Sequence, residues 1–465
     1  MTSSYPHVVK IYATTQSPDY DCPWQARTPS TSTGSGVVIS GTEILTGAHV
    51  VANATFLRVQ KSAHPNKGIA RVKSICHDCD LALLEMEDTA FFEGIQPAEL
   101  GELSELRDKV SVVGFPIGGE EISITEGVVS RIEVQQYSHS QCSFLAVTVD
   151  AAINRGNSGG PVFKGDKIAG IAFQKLSDAD NIGEMVPTPL IRNFLKRARE
   201  TKVVEMPAFG FVTQTLENPR LRKHIGLNDE ESGVLITAVP YNNSSHGVLE
   251  EGDAILEVDG LPIANNGTVL FRNLYRTQFS VVLGEYALGD TIPLKILRGG
   301  ERFTVNLVLK PKRYLVPRAK YDCLPTYFVY GGLVFQPLSR NLLVTWGDEW
   351  WNQAPADFIQ CYYSGIPTKE RQEVVLLTQI LADQINVGYE NLYNERIVSV
   401  NGQTIANMKD FVESLENAQD FIELKTSHEA RIVLDVEAVQ AANDRILKRY
   451  HIKSAYSTDL REKSA

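Results

Sequence analysis

Long apolar runs, cysteine and surplus basic charge are all scarce in this chain of 465 residues. No run approaches the roughly 18 apolar residues that a membrane-spanning helix needs, so no membrane span is expected. The six cysteines, at 22, 76, 79, 142, 323 and 361, are too thinly spread for a disulfide framework and fit a reducing compartment. Lys and Arg total 45 against 56 Asp and Glu, a net charge of −11, so nucleic acid is not an expected partner. The N-terminal "MTSSYPHVVKIYATT" has neither the apolar core of a signal peptide nor the arginine content of a transit peptide. These absences favour cytoplasm or nucleus, with an organelle lumen after trimming as the alternative.

What is present is enough for packed cores: 43% hydrophobic residues with 22% charged. At about 150 residues per domain the length suggests about three domains. Up to about residue 195, short apolar runs such as "GSGVVIS", "EILTGAHVV", "DLALLEM", "KVSVVGFP", "FLAVTVD" and "KIAGIAF" are separated by turn residues, the pattern of a β-barrel or sandwich. "TPLIRNFLKRARETK" then reads as a helix, with Leu190, Ile191, Phe194 and Leu195 at helical spacing. Further on, "LEEGDAILEVDGLPI" and "YNERIVSVNGQTI" share one pattern: apolar strand, Asp-Gly or Asn-Gly turn, apolar residue. Each follows a glycine-bearing apolar segment, "FGFVTQ" or "GGLVFQP". This is a diverged internal repeat. The expected domains are 1–200, 205–312, 325–437 with an insertion near 346–370, and a helix with a polar tail over 438–465.

One segment, "INRGNSGGPVF", places a serine in a backbone of unusual freedom. A serine hydroxyl attacks only when a base takes its proton, and the base is usually a histidine held in one tautomer by a carboxylate. Backbone N–H groups must also face the oxyanion, which glycines permit. Ser158 is the candidate nucleophile. Gly156 and Ser158, with Asn157 between them, are the candidate oxyanion hole. "LTGAHVV" supplies His49 and "CDLALLEM" supplies Asp80, each beside a strand.

With "GSGVVIS", "TGAHVV", "DLALLEM", "VVGFPIGG", "VDAAINRGNSGGPVF" and "NIGEMVPTP", the chain resembles the HtrA/Deg serine proteases, and its repeats resemble PDZ domains. The resemblance runs over nearly the whole chain and is nearest to plant-type Deg proteases. It implies a mainly β fold: a trypsin-like double β-barrel protease domain, then two α+β PDZ domains. It implies ATP-independent endopeptidase activity on unfolded proteins, no metal or other cofactor, and a homo-oligomer built from trimers, with hexamers or larger cages as further options. His49 becomes general base and acid, Asp80 its orienting carboxylate and Ser158 the acylated nucleophile. Ile153, Glu184 and Met185 are expected at the S1 pocket, with small aliphatic P1 residues preferred. Phe209, Gly210 and Phe211 in the first repeat, and Gly332 and Leu333 in the second, are the expected binding positions for peptide C-termini, by strand addition. Gly47 stands where the family usually has Asn; lying outside the triad, it is expected to matter little.

The remaining features have blander readings. "CHDC" (Cys76–Cys79) has the spacing of half a zinc site or of a redox pair, but no second pair follows at zinc-ligand spacing. The other histidines read as ordinary core or surface residues. "WGDEWWNQ" suits either an interface or the core of the insertion, and Tyr5 and Trp24 are candidate trimer contacts. The rival functions are a holding chaperone or PDZ scaffold on a latent protease fold, and a narrow processing protease.

Overall fold

The computed structural model describes residues 5–116, 119–151, 153, 156–175 and 182–461. The ends of the expected first domain (1–4) and of the tail (462–465), with 117–118 of "VVGFPIGG", lie outside that set. The described residues form two compact units. One holds residues up to 16, 29–239 and 243–312; the other holds 17–28, 240–242 and 313 onward.

The first unit opens with β1 (Val8–Thr15), β2 (Ser30–Val38), β3 (Glu43–Thr46), β4 (Ala54–Lys61), β5 (Lys67–Cys76) and β6 (Leu81–Met86), closed into a barrel in the order β1-β2-β3-β6-β5-β4. Closure leaves no unpaired edge. A second barrel follows: β7 (Lys109–Gly114), β8 (Ser123–Gln136), β9 (Ser143–Val149), β10 (Pro161–Lys164), β11 (Lys167–Lys175) and β12 (Gly183–Pro187). Its order, β7-β8-β9-β12-β11-β10, repeats the connectivity of the first. A one-turn helix α1 (Ala48–Val51) follows β3, and α2 (Thr188–Arg197) follows β12. Helix α2 buries Leu190, Ile191 and Phe194, with Lys196 and Arg197 at its negative C-terminal end. Burying each of these apolar side chains is worth about 1.5–3 kcal/mol.

The same unit carries a sheet in the order Val212–Thr215, Val234–Ala238, Ala254–Val258, Thr291–Arg298, Glu301–Val308. The Asp259-Gly260 turn after its third strand has both residues at positive φ (51° and 75°), the geometry a two-residue hairpin demands. A hairpin, Thr268–Phe271 with Tyr275–Gln278, and a 3-10 turn, Phe279–Glu285, precede its fourth strand.

The second unit holds a sheet in the order Phe328–Tyr330, Leu333–Pro337, Val375–Ile380, Glu395–Val400, Phe421–Thr426, Arg431–Asp435. Asn401-Gly402 repeats the positive-φ turn (48° and 79°). Helices Met408–Glu416 and Val436–Arg449 pack on it through Phe411, Leu415, Val436 and Val439. The insertion forms short helices whose core is Trp350, Phe358 and Tyr362, while Trp351 is exposed. Trp24 lies edge-on to Tyr327 at 6.0 Å in this unit, and Tyr5 lies on Phe163 at 5.2 Å in the first.

Candidate active site

His49 sits on α1, directly after β3, and Asp80 sits just ahead of β6, which pairs with β3. The pairing brings the two residues together. The Asp80 carboxylate accepts from the His49 backbone N–H at 2.8 Å, and its two oxygens lie 2.7 and 3.0 Å from His49 Nδ1. Asp80 is fully buried and holds a left-handed backbone (φ 58°), a conformation Asp tolerates better than most residues. Burial alone would push the imidazole pKa down. The charge and hydrogen bond of Asp80 outweigh that and hold it above its ordinary value. Gly47 packs closely against this pair. A Cβ there would lie 2.9 Å from His49 Cε1 and 3.1 Å from Asp80 Oδ2, so any side chain displaces the pair.

Ser158 lies in the turn between the second barrel's β9 and β10. Gly156 and Gly159 have φ of 101° and 78°, open without strain only to glycine. The next α-carbon, Gly159, abuts Thr46 and Val50, the residues flanking His49. Gly159 N–H donates to Ala172 and Gly160 N–H to Asn157. Among the described residues, the N–H groups of Gly156, Asn157 and Ser158 have no backbone acceptor. Asn157 is fully buried, and neither end of its amide has a partner among the described residues. A residue not singled out from the sequence ties this turn down: the hydroxyl of Ser35 on β2 donates to Gly156 O at 2.7 Å.

The residues expected at the S1 pocket, Ile153, Glu184 and Met185, are all buried. Ile153 is buried, and its neighbour is Gly183, where a Cβ would stand 2.4 Å from Ile153 Cγ1 and Cδ1. Successive residues of a strand face opposite ways, so in β12 Glu184 points away from the face that meets Ile153, and Met185 returns to it. Glu184 is wholly buried on the other face. Gly183, not Glu184, is the β12 residue that meets Ile153.

The two repeats differ in what they leave open. In the first, Phe209, Phe211 and Phe279 stack with centroids 5.3–6.2 Å apart. Gly210 is at φ 73°, and Ser245 Oγ holds its carbonyl. The next strand, Val212–Thr215, is at the end of its sheet. In the second, Gly331-Gly332 is a tight turn between Phe328–Tyr330 and Leu333–Pro337. Asn386 donates to Gly331 O, and Leu381 N–H to Gly332 O at 2.7 Å. Leu333 has strands on both sides, so it offers no free edge to a peptide. The outer side of Phe328–Tyr330 is in turn taken by the tail: Val329 N–H donates to Ala455 O at 2.8 Å and Ser457 N–H to Tyr327 O at 3.0 Å.

Cys76 and Cys79 are buried, and their mutual hydrogen bond, then burial, push the Cys76 thiol well up. Cys142 joins them from the β8–β9 connection, its thiol donating to Asp78 at 3.4 Å. Among the described residues no three His, Cys, Asp or Glu side chains converge as a metal cage would, and no helix is long and apolar enough to cross a membrane.

Comparison with known proteins identifies two kinds of domain in the chain. Residues 34–169 match the trypsin-like peptidase domain and residues 316–459 match the PDZ domain. The chain is similar to protease Do-like 4, mitochondrial, of Arabidopsis thaliana: 38% identity, over 97% of this chain and 85% of that one. It is also similar to protease Do-like 2, chloroplastic, of the same plant: 37% identity, over 98% and 75%. Among solved structures it is similar to the HtrA-type protease AlgW with tripeptide: 25% identity, 66% of this chain, 94% of that one, TM-score 0.52. The mitochondrial and chloroplastic relatives overturn the cytoplasmic or nuclear expectation. Sparse cysteines disfavour an oxidising compartment but do not separate one reducing compartment from another.

Proposed function

The chain belongs to the Do-like (Deg/HtrA) serine protease family and is a serine endopeptidase, and on that premise we propose that His49, Asp80 and Ser158 are its catalytic triad. The observation that carries this is the double engagement of His49 by the buried Asp80 carboxylate, beside the glycine-bounded turn of Ser158. Ser158 Oγ attacks the scissile carbonyl carbon while His49 Nε2 takes its proton. The oxyanion is held by the N–H groups of Gly156 and Ser158. His49 returns the proton to the leaving amine as the C–N bond breaks. Water, deprotonated by the same imidazole, then releases the acyl group. Asp80 keeps Nδ1 protonated and stabilises the imidazolium.

Ile153 lies directly on Gly183, an apolar surface of the kind that favours small aliphatic P1 residues. The first repeat is the peptide-binding module of the two. Its loop Phe209–Phe211 carries the apolar side chains, and its end strand offers backbone for strand addition. Unfolded proteins are the substrate class, a trimer-based homo-oligomer the working assembly, and an organelle the setting. The test is casein cleavage by the intact chain and by Ser158→Ala, with fragment ends read by mass spectrometry. The reading expects cleavage after small aliphatic residues by the intact chain and none by the variant. Equal cleavage by both would remove Ser158 as nucleophile, and mainly basic P1 residues would remove the pocket assignment.

A further inference from the structure

We propose that Ser35 is a positioning residue that holds Gly156 in place for catalysis; this rests on the reading of the 156–158 turn as the oxyanion hole. Ser35 stands in "GSGVV" on β2 and is fully buried. Its four polar contacts converge from three directions. Its hydroxyl donates to Gly156 O at 2.7 Å and accepts from Phe115 N–H, at the end of β7, at 2.8 Å. Its backbone N–H donates to Ser158 O at 3.0 Å, and its carbonyl accepts from Thr46 Oγ1 at 2.7 Å. One residue of the first barrel therefore grips the nucleophile turn on both sides of Asn157.

The surroundings are built for that grip. A Cβ on Gly34 would meet Val50 at 2.5 Å, and one on Gly36 would meet Ile11 at 2.9 Å, so the flanking glycines let β2 come close. A Cβ on Gly114 would fall 2.7 Å from Ser35 Oγ and 2.9 Å from the Asn157 α-carbon. The consequence is chemical. The Gly156 carbonyl fixes the peptide plane that follows the oxyanion donor, and its partner is a side chain rather than a strand neighbour. Without the hydroxyl, Gly156 O and Phe115 N–H are buried and unpaired. The turn, whose Asn157 amide already lacks partners among the described residues, then loses its only side-chain anchor among them. The Gly156 N–H drifts, and the loss falls on the transition state, where the oxyanion forms, rather than on substrate binding.

The experiment compares the full-length chain with Ser35→Ala and with Ser35→Cys, a near size match whose thiol is a weak donor. Three quantities are read: kcat and KM on a peptide substrate, the rate at which a fluorophosphonate labels Ser158, and backbone hydrogen exchange over 153–163, with the thermal midpoint as a check on folding. Ser35→Ala is expected to lose about 10²-fold in kcat, the scale of a 1 Å misplacement, with KM little changed. Labelling should slow in step, exchange should rise in 153–163 alone, and Ser35→Cys should fall between. A folded Ser35→Ala with wild-type kcat and wild-type exchange overturns the proposal, as does a fall in kcat that tracks only a loss of folded protein. If Ser35→Ala does not fold, Ser35→Cys with wild-type kcat and exchange overturns it equally. A wild-type chain inert to peptide and fluorophosphonate sinks the triad assignment instead. The exchange comparison then still decides whether Ser35 holds the turn.

Discussion

At the scale of single residues, the site depends on the contact between His49 and Asp80. Asp80 raises the imidazole pKa against the downward push of burial. The base works only when neutral, so cleavage rises with pH through a midpoint above the ordinary histidine value of about 6.5. The stability that His49 contributes runs the other way. It is fully present below about pH 6.5 and is lost as pH climbs through the raised folded value. Asp80→Asn keeps the shape but removes the charge. We expect kcat to fall about 10⁴-fold and the acid limb of the pH–rate profile to move to lower pH, since burial alone then acts on the ring. An unmoved limb would mean that Asp80 does not set the imidazole's charge. Gly47→Ala is a second test. The Cβ has no room beside His49 and Asp80, so kcat should drop about 10- to 100-fold while casein still binds. Wild-type kcat in that variant would show that the ring yields without cost. The proposed triad was suggested by the sequence because each member lies in its own short motif. The steric role of Gly47 and the grip of Ser35 were not. The first depends on two side chains meeting over one α-carbon, and the second on a hydrogen bond spanning 121 positions.

At the scale of elements, the apolar runs marked several elements: β2, β3, β6, β7, β9, β11 and helix α2 fall on them. No run marked β1, β4 or β5. The Asp-Gly and Asn-Gly turns announce their hairpins, because only such pairs take positive φ cheaply at both positions. What the pattern hid is pairing. Strand neighbours in these barrels come from distant motifs, so neither the common connectivity of the two barrels nor the bridge from the tail to Phe328 could be read locally. Alternation within β12 has a consequence for specificity. Glu184 was expected at the pocket because its stretch borders the S1 pocket in the family the chain resembles, yet the residue facing Ile153 is Gly183. Gly183→Val would drive its side chain into Ile153, so cleavage after all but the smallest P1 residues should be lost, as profiled by mass spectrometry. Glu184→Gln should leave the P1 profile as it is. The reverse outcome would return Glu184 to the pocket.

At the scale of the whole molecule, the described residues divide into two units, the first running through the second barrel and the first repeat to residue 312. One continuous apolar cluster joins Phe144, Phe173 and Phe194 of the second barrel to Phe209, Phe279 and Leu309 of the first repeat. Thr277, buried in the repeat's hairpin, accepts from Val134 N–H on β8 at 2.8 Å, and Asn193 on α2 donates to Tyr286 O at 3.2 Å. The second barrel and the first repeat therefore share a core and should unfold together. The second unit has its own clusters, around Phe411 and around Trp350. All four tryptophans, at 24, 346, 350 and 351, lie in that second unit. Tryptophan fluorescence thus reports one unit, while residual protease activity reports the other. Thr277→Val leaves Val134 N–H buried and unpaired, a loss of about 1–3 kcal/mol. We expect the thermal midpoint of inactivation to fall while the tryptophan transition stays where it is. If the two midpoints fall together, the units melt as one. If neither moves, the hairpin contact does not bind the repeat to the barrel, and the shared apolar cluster alone must hold them.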